Sequence, residues 1–97
     1  MEMQDLMAQA QQLQNAVAAA QEKLANTTVR GVAGDGACVV EMTGKYDLLE
    51  IMLRDDISGK SANEISQIVL TAMRDAKHKA DEIIDKVMGD ATAGMPI

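Results

Sequence analysis

The chain of 97 residues has no phenylalanine, no tryptophan and one tyrosine, Tyr46. The large rings that usually anchor a small core are therefore missing. So are the stacking platforms that sequence-tolerant binding of single strands relies on. The one cysteine, Cys38, excludes an internal disulfide. In ACVVEM at 37–42 it reads as a small inward-facing hydrophobe rather than a reactive thiol. No apolar run approaches the ~20 residues that span a bilayer. The acidic opening Met1-Glu2-Met3-Gln4-Asp5 lacks the basic-then-apolar layout of a secretory leader. We therefore expect a soluble, intracellular protein without a membrane partner. Positive charge is also scarce: 9 Lys and Arg against 15 Asp and Glu leave a net charge of −6. The excess is spread evenly, with no acidic tail balancing a basic body, and such a field opposes approach to nucleic acid.

What is present is rhythm. Met3, Leu6, Ala10, Leu13, Val17, Ala20 and Leu24 alternate steps of three and four, giving a helix over 2–26 one narrow apolar stripe. Its neighbours Gln4, Gln9, Gln11, Gln12, Gln14 and Gln21 are polar but uncharged. A helix this short with so few ion pairs needs something to cover its seam. Three strands follow, at Thr27–Ala33, Ala37–Thr43 and Asp47–Leu53. Gly34-Asp35-Gly36 makes the first turn and Gly44-Lys45 the second. On the second strand Cys38, Val40 and Met42 share one face and Val39 and Glu41 the other. On the third, Leu49, Ile51 and Leu53 oppose Leu48, Glu50 and Met52, so both of its faces are apolar. Arg54–Lys60 reads as a charged loop. Ser61 and Glu64 fit a capping box opening a second helix over about 62–88, which Gly89 ends. Residues 1–88 thus form one domain and 89–97 a flexible tail.

The fold class is α+β, in the order α-β-β-β-α, with a small antiparallel sheet flanked by two long helices. A monomer of this size buries only about 60–70% of its unfolded surface. Eight methionines and many alanines give a compliant interior. We therefore expect a homodimer, with Val39, Leu48 and Met52 at the interface.

No residue set carries catalysis, a metal or a cofactor. His78 sits among charged neighbours in DAKHKAD, without an orienting partner. Asp55-Asp56 is too small a donor set for calcium. GVAGDG at 31–36 lacks the Gly-Lys-Ser/Thr ending of a phosphate loop and joins two strands instead of opening a helix. The basic residues Lys23, Arg74, Lys77, Lys79 and Lys86 admit two readings. One is ion pairing with Asp75, Asp81, Glu82 and Asp85 on a wet helix. The other is a phosphate-contacting ridge that dimer symmetry would double. Without a helix-turn-helix spacing or zinc ligands, any DNA contact would be to backbone and shape.

The chain resembles the bacterial YbaB/EbfC nucleoid-associated proteins over about residues 3 to 96. The likeness rests on LMAQAQQLQ at 6–14, VRGVAGDGACVVEMTG at 29–44, LLEIML at 48–53, AMRDAKHKADE at 72–82 and GMP at 94–96, in that order and spacing. The resemblance implies a tweezer-like homodimer, located in the cytoplasm and nucleoid. It implies binding to double-stranded DNA with weak sequence selectivity, altering DNA conformation and gene expression without an enzymatic step. It implies no small-molecule substrate. This chain departs from the family pattern in its acidic start, in having only Lys23 as a base on the first helix, and in Met52-Leu53 where an Asp-Pro is usual. An adaptor or chaperone-like dimer that holds partner helices is the competing expectation.

Overall fold

The computed structural model describes residues 2–93. The elements are α1 (Met3–Ala25), β1 (Thr28–Ala33), β2 (Cys38–Thr43), β3 (Leu48–Leu53) and α2 (Ala62–Thr92). Good helix formers such as Ala, Gln, Leu and Met fill α1. It stops where the β-branched run begins, and the stop is hydrogen-bonded. The Asn26 N–H donates to the Glu22 carbonyl at 3.2 Å and the Thr27 hydroxyl to the Lys23 carbonyl at 2.7 Å. Ser61 caps α2, its side-chain oxygen accepting the Glu64 N–H at 3.1 Å.

The sheet is antiparallel in the order β1-β2-β3. The first hairpin turns through Gly34, Asp35 and Gly36, all left-handed at φ of 63°, 55° and 89°, which glycine adopts at no steric cost. α2 crosses β1 and β2 on one face. There Val29, Ala33, Cys38, Val40 and Met42 meet Ala72, Ala76 and Ala80. Gly31 is the point of closest approach: a Cβ there would strike the Ala72 carbonyl and the Ala76 N–H. The absence of aromatic rings thus has a counterpart in packing. Helix and sheet come together through glycine and alanine, and the core is thin rather than loose.

β3 is the exception. Leu48, Leu49, Ile51 and Leu53 are each about half exposed, at 47%, 54%, 41% and 46%. The two helices meet in a second, smaller cluster where Ala20 and Leu24 of α1 pack on Val87, flanked by Ile83, Ile84, Met88 and Ala91. The molecule is a rod of 69 × 17 × 17 Å.

Three expectations need correction. First, α2 does not end before Gly89 but runs to Thr92. A helix-ending glycine takes a left-handed conformation, and Gly89 does not. The expected tail therefore begins with helical residues, and 94–97 lie outside the described residues. Second, a bulge between Glu41 and Met42 shifts the β2–β3 register, so that Leu48 pairs with Met42 while Met52 pairs with Val39. Directly paired residues share a face, so Leu48 lies on the α2 side and Val39 and Met52 on the other. Third, the charged loop contains a 3₁₀ turn, Asp55–Gly59, that buries Ile57. Arg54 braces it, holding Asp56 at 2.8 Å and donating to the Asp35 carbonyl at 3.1 Å.

Candidate nucleic-acid interface

α2 carries four of the five basic residues singled out from the sequence, and its geometry divides them. Successive residues turn by about 100° around a helix, so Lys77 and Lys79 lie about 160° apart. Lys79 reaches the middle of β1 and Lys77 the β2–β3 turn. They are not one ridge.

On the β1 flank, Lys79 Nζ donates to the Arg30 carbonyl at 2.7 Å and pairs with Asp75 at 3.0 Å. Asp75 in turn accepts the Val32 N–H at 2.9 Å. That backbone bond, seconded by Lys79, holds the Asp75 carboxyl below the ordinary carboxylate range. Two side chains of α2 thus each satisfy one outward-facing backbone group of an edge strand. Lys86, one heptad beyond Lys79, lies on this flank, exposed and without an ion pair among the described residues.

On the opposite flank Arg74 is exposed and Lys77 pairs with Asp81 at 3.2 Å. Lys77 Nζ also sits 5.6 Å from the centre of the Tyr46 ring. Tyr46 closes the β2–β3 turn at φ 67°. There Thr43 Oγ1 accepts the Lys45 and Asp47 N–H groups, each at 3.1 Å. The tyrosine hydroxyl donates to Asp81. This bond and Lys77 lower the Asp81 pKa, while the same bond raises that of Tyr46. Met42, Tyr46, Met73, Arg74 and Lys77 line an apolar groove of 240 Å³. Tyr46 separates it from a second groove of 380 Å³, lined by Lys45 with Gln21, Leu24, Gly44, Ile84 and Met88. Lys45 and Tyr46 were not among the site residues expected. The signal was present in TGKYD at 43–47, where a turn carries the only aromatic residue.

The remaining base, Lys23, ends α1 and borders a groove with Ala16, Ala20, Val87, Asp90 and Ala91. His78 is exposed and contacts Glu82 at 2.8 Å. On the sheet face away from α2, Arg30 pairs with Glu41 at 2.8 Å. Beside that pair, Val32, Val39 and Met52 form one cross-strand apolar row. Among the described residues no cluster of His, Cys, Asp or Glu could hold a metal ion. No helix among the described residues is long and apolar enough to cross a membrane. Burial raises the Cys38 thiol pKa.

Comparison with known proteins gives a consistent result. Residues 1–95 match the YbaB/EbfC DNA-binding family. A nucleoid-associated protein of Neisseria meningitidis serogroup A is 36% identical over 94 residues, covering 94% of this chain and 85% of that protein. A nucleoid-associated protein of Neisseria gonorrhoeae is 35% identical over the same length. The crystal structure of an uncharacterized protein from Helicobacter pylori superposes with a TM-score of 0.78, at 20% identity, over 93% of this chain and 96% of that one. This last likeness is one of fold.

Proposed function

We propose, from the premise that this chain belongs to the YbaB/EbfC DNA-binding family, that it is a nucleoid-associated homodimer. It acts in the cytoplasm, binding double-stranded DNA through phosphate contacts with little sequence selectivity and changing DNA shape. The family is one of non-enzymatic DNA-binding proteins, and the chain carries out no reaction.

The observation that carries the DNA reading is the division of the bases on α2. Among the described residues Arg74 and Lys86 are exposed without acidic partners, and so is Lys23 at the end of α1. Lys77 and Lys79 are each held by a neighbouring carboxylate that a phosphate must outcompete. Arg74, Lys23 and Lys86 are therefore the stronger phosphate contacts, and Lys77 and Lys79 the weaker. With so few contacts on a chain of net charge −6, affinity is low and falls steeply with salt.

The homodimer reading rests on β3. Its apolar side chains are half exposed, and covering them gives on the order of 1 kcal/mol each. Its outer edge pairs with no strand among the described residues and is open to a second copy, whereas on the β1 edge Asp75 and Lys79 hold the Val32 N–H and the Arg30 carbonyl. Val39 and Met52 flank that edge on one face and Leu48 on the other.

The test is binding to a duplex across a salt series, with mass in solution measured on the same sample. Neutralising Lys23, Arg74 and Lys86 with glutamine should flatten the dependence of affinity on salt by about one unit of slope per lost contact. Neutralising Lys77 and Lys79 should change it less. Unchanged binding in the first variant rejects these contacts. One specific observation favours an adaptor role instead: the exposed apolar seam of α1 carries no base before Lys23. A stoichiometric protein partner together with no duplex binding at low salt selects that reading.

A further inference from the structure

The seam of α1 is covered along only part of its length. Leu24 and Ala20 are buried against Val87, and Val17 and Leu13 are half-buried. From there to the tip no described residue covers it. Met3, Leu6 and Met7 are 75%, 51% and 65% exposed. Residues 3–12 thus form an exposed arm about 14 Å long that keeps a strict three-four spacing with no covering helix among the described residues. Its helicity needs no new nucleus, because the same helix is anchored at Ala20 and Leu24.

We infer that the occupant of this seam is the arm of a second copy, laid antiparallel and centred on Ala8. Layer volumes support this. In that register Met3 faces Leu13 and Leu6 faces Ala10 of the other copy, so each layer joins a large side chain to a complementary one. The parallel register would set Ala10 on Ala10 and leave a thin layer. Charge points the same way. The residues beside the seam, Met7, Gln9 and Gln14, are neutral and offer identical arms no repulsion. The acids Glu2 and Asp5 fall at opposite ends of the antiparallel pair, at the level of Gln14 and Gln11. The parallel pair would bring each acid level with its own copy. The tip lies about 30 Å along α1 from the β2–β3 turn, so this contact is separate from the β3 pairing. It would join one homodimer to the next.

Chains carrying one added cysteine test the register. Met7 lies beside its own copy in the antiparallel pair, whereas two copies of Met3 are about 15 Å apart. Both positions are exposed, and the native Cys38 is buried, so the parent chain serves as the control. Under mild oxidation M7C should form a disulfide-linked pair at least about tenfold faster than M3C. Adding L6E should abolish that advantage, a loss worth about 1.4 kcal/mol per factor of ten. Sedimentation of the unmodified chain should show mass rising with concentration beyond the β3-linked species, and L6E should remove the rise. M7C pairing that persists when M52E breaks the β3 contact also supports the inference. Equal rates for M3C and M7C, a mass independent of concentration, or pairing lost with M52E would each overturn it.

Discussion

The two ends of the rod solve the same packing problem differently. At the sheet end, α2 reaches the backbone of β1 through Gly31, Ala72 and Ala76, and side chains on both layers are shut from water. At the arm end, one helix face meets another through a small cluster in which Ala20, Leu24 and Val87 are buried and their neighbours only partly so. A sequence without large rings can close a core where two backbones approach closely. Where they do not, it leaves a seam. The sheet end should therefore unfold as a unit, and the arm end should open locally at much lower cost.

The largest effect should come from breaking the close approach. Gly31→Ala forces β1 and α2 apart and should cost about 3 kcal/mol or more, because backbone atoms obstruct the new methyl. Gly59→Ala, with nothing within 4 Å, should stay within about 0.5 kcal/mol, and urea unfolding of the pair measures the contrast. At the arm end, Val87→Ala should cost about 1–2 kcal/mol. Its signature is regional: amide exchange should quicken across residues 3–24 while β1 and β2 keep their protection. Gly89→Ala should act in the opposite sense, stabilising the arm by about 0.5–1 kcal/mol in thermal melts, since that glycine lies inside α2 with open space around it.

The smallest effect concerns the bond that ties the two ends, Tyr46 to Asp81. The lowered carboxyl pKa means its stabilisation is complete above the ordinary carboxylate value of about 4 and fades as pH falls through the depressed folded value. The raised phenol pKa means it is complete below the ordinary tyrosine value of about 10 and fades as pH rises through the elevated folded value. Melting temperature should thus sit on a plateau between these limits. Tyr46→Phe should lower that plateau slightly and reduce the alkaline shoulder to what the buried Cys38 thiol contributes. An acid limb should survive in that variant, because Lys77 and the Val32 N–H still stabilise Asp81 and Asp75.

The order of elements was legible because each periodicity is local: three-four steps in the helices, alternation in β2, paired glycines at the first turn. The capping role of Ser61 and the inward face of Cys38, Val40 and Met42 could be read the same way. The bulge at β3 could not, since it depends on how two strands settle against each other, and it moved Leu48 away from Val39 and Met52. Gly89 misled because the residue type is shared by helix ends and helix interiors, and only φ separates them. The split of the basic residues was within reach, as Lys77 and Lys79 stand two apart on a helix. Their capture by Tyr46, Asp81, Asp75 and the β1 backbone was not, because every partner but the i,i+4 acids is remote in sequence.

Asp75 and Lys79 have one more consequence. A sheet open on both sides can recruit copies without end, growing into a ribbon. By holding the Val32 N–H and the Arg30 carbonyl, these two side chains make β1 a poorer margin for addition than β3. A second copy proposed to add at β3 would find no equivalent margin on β1, so any growth beyond a pair would have to use a different contact, such as the arms of α1.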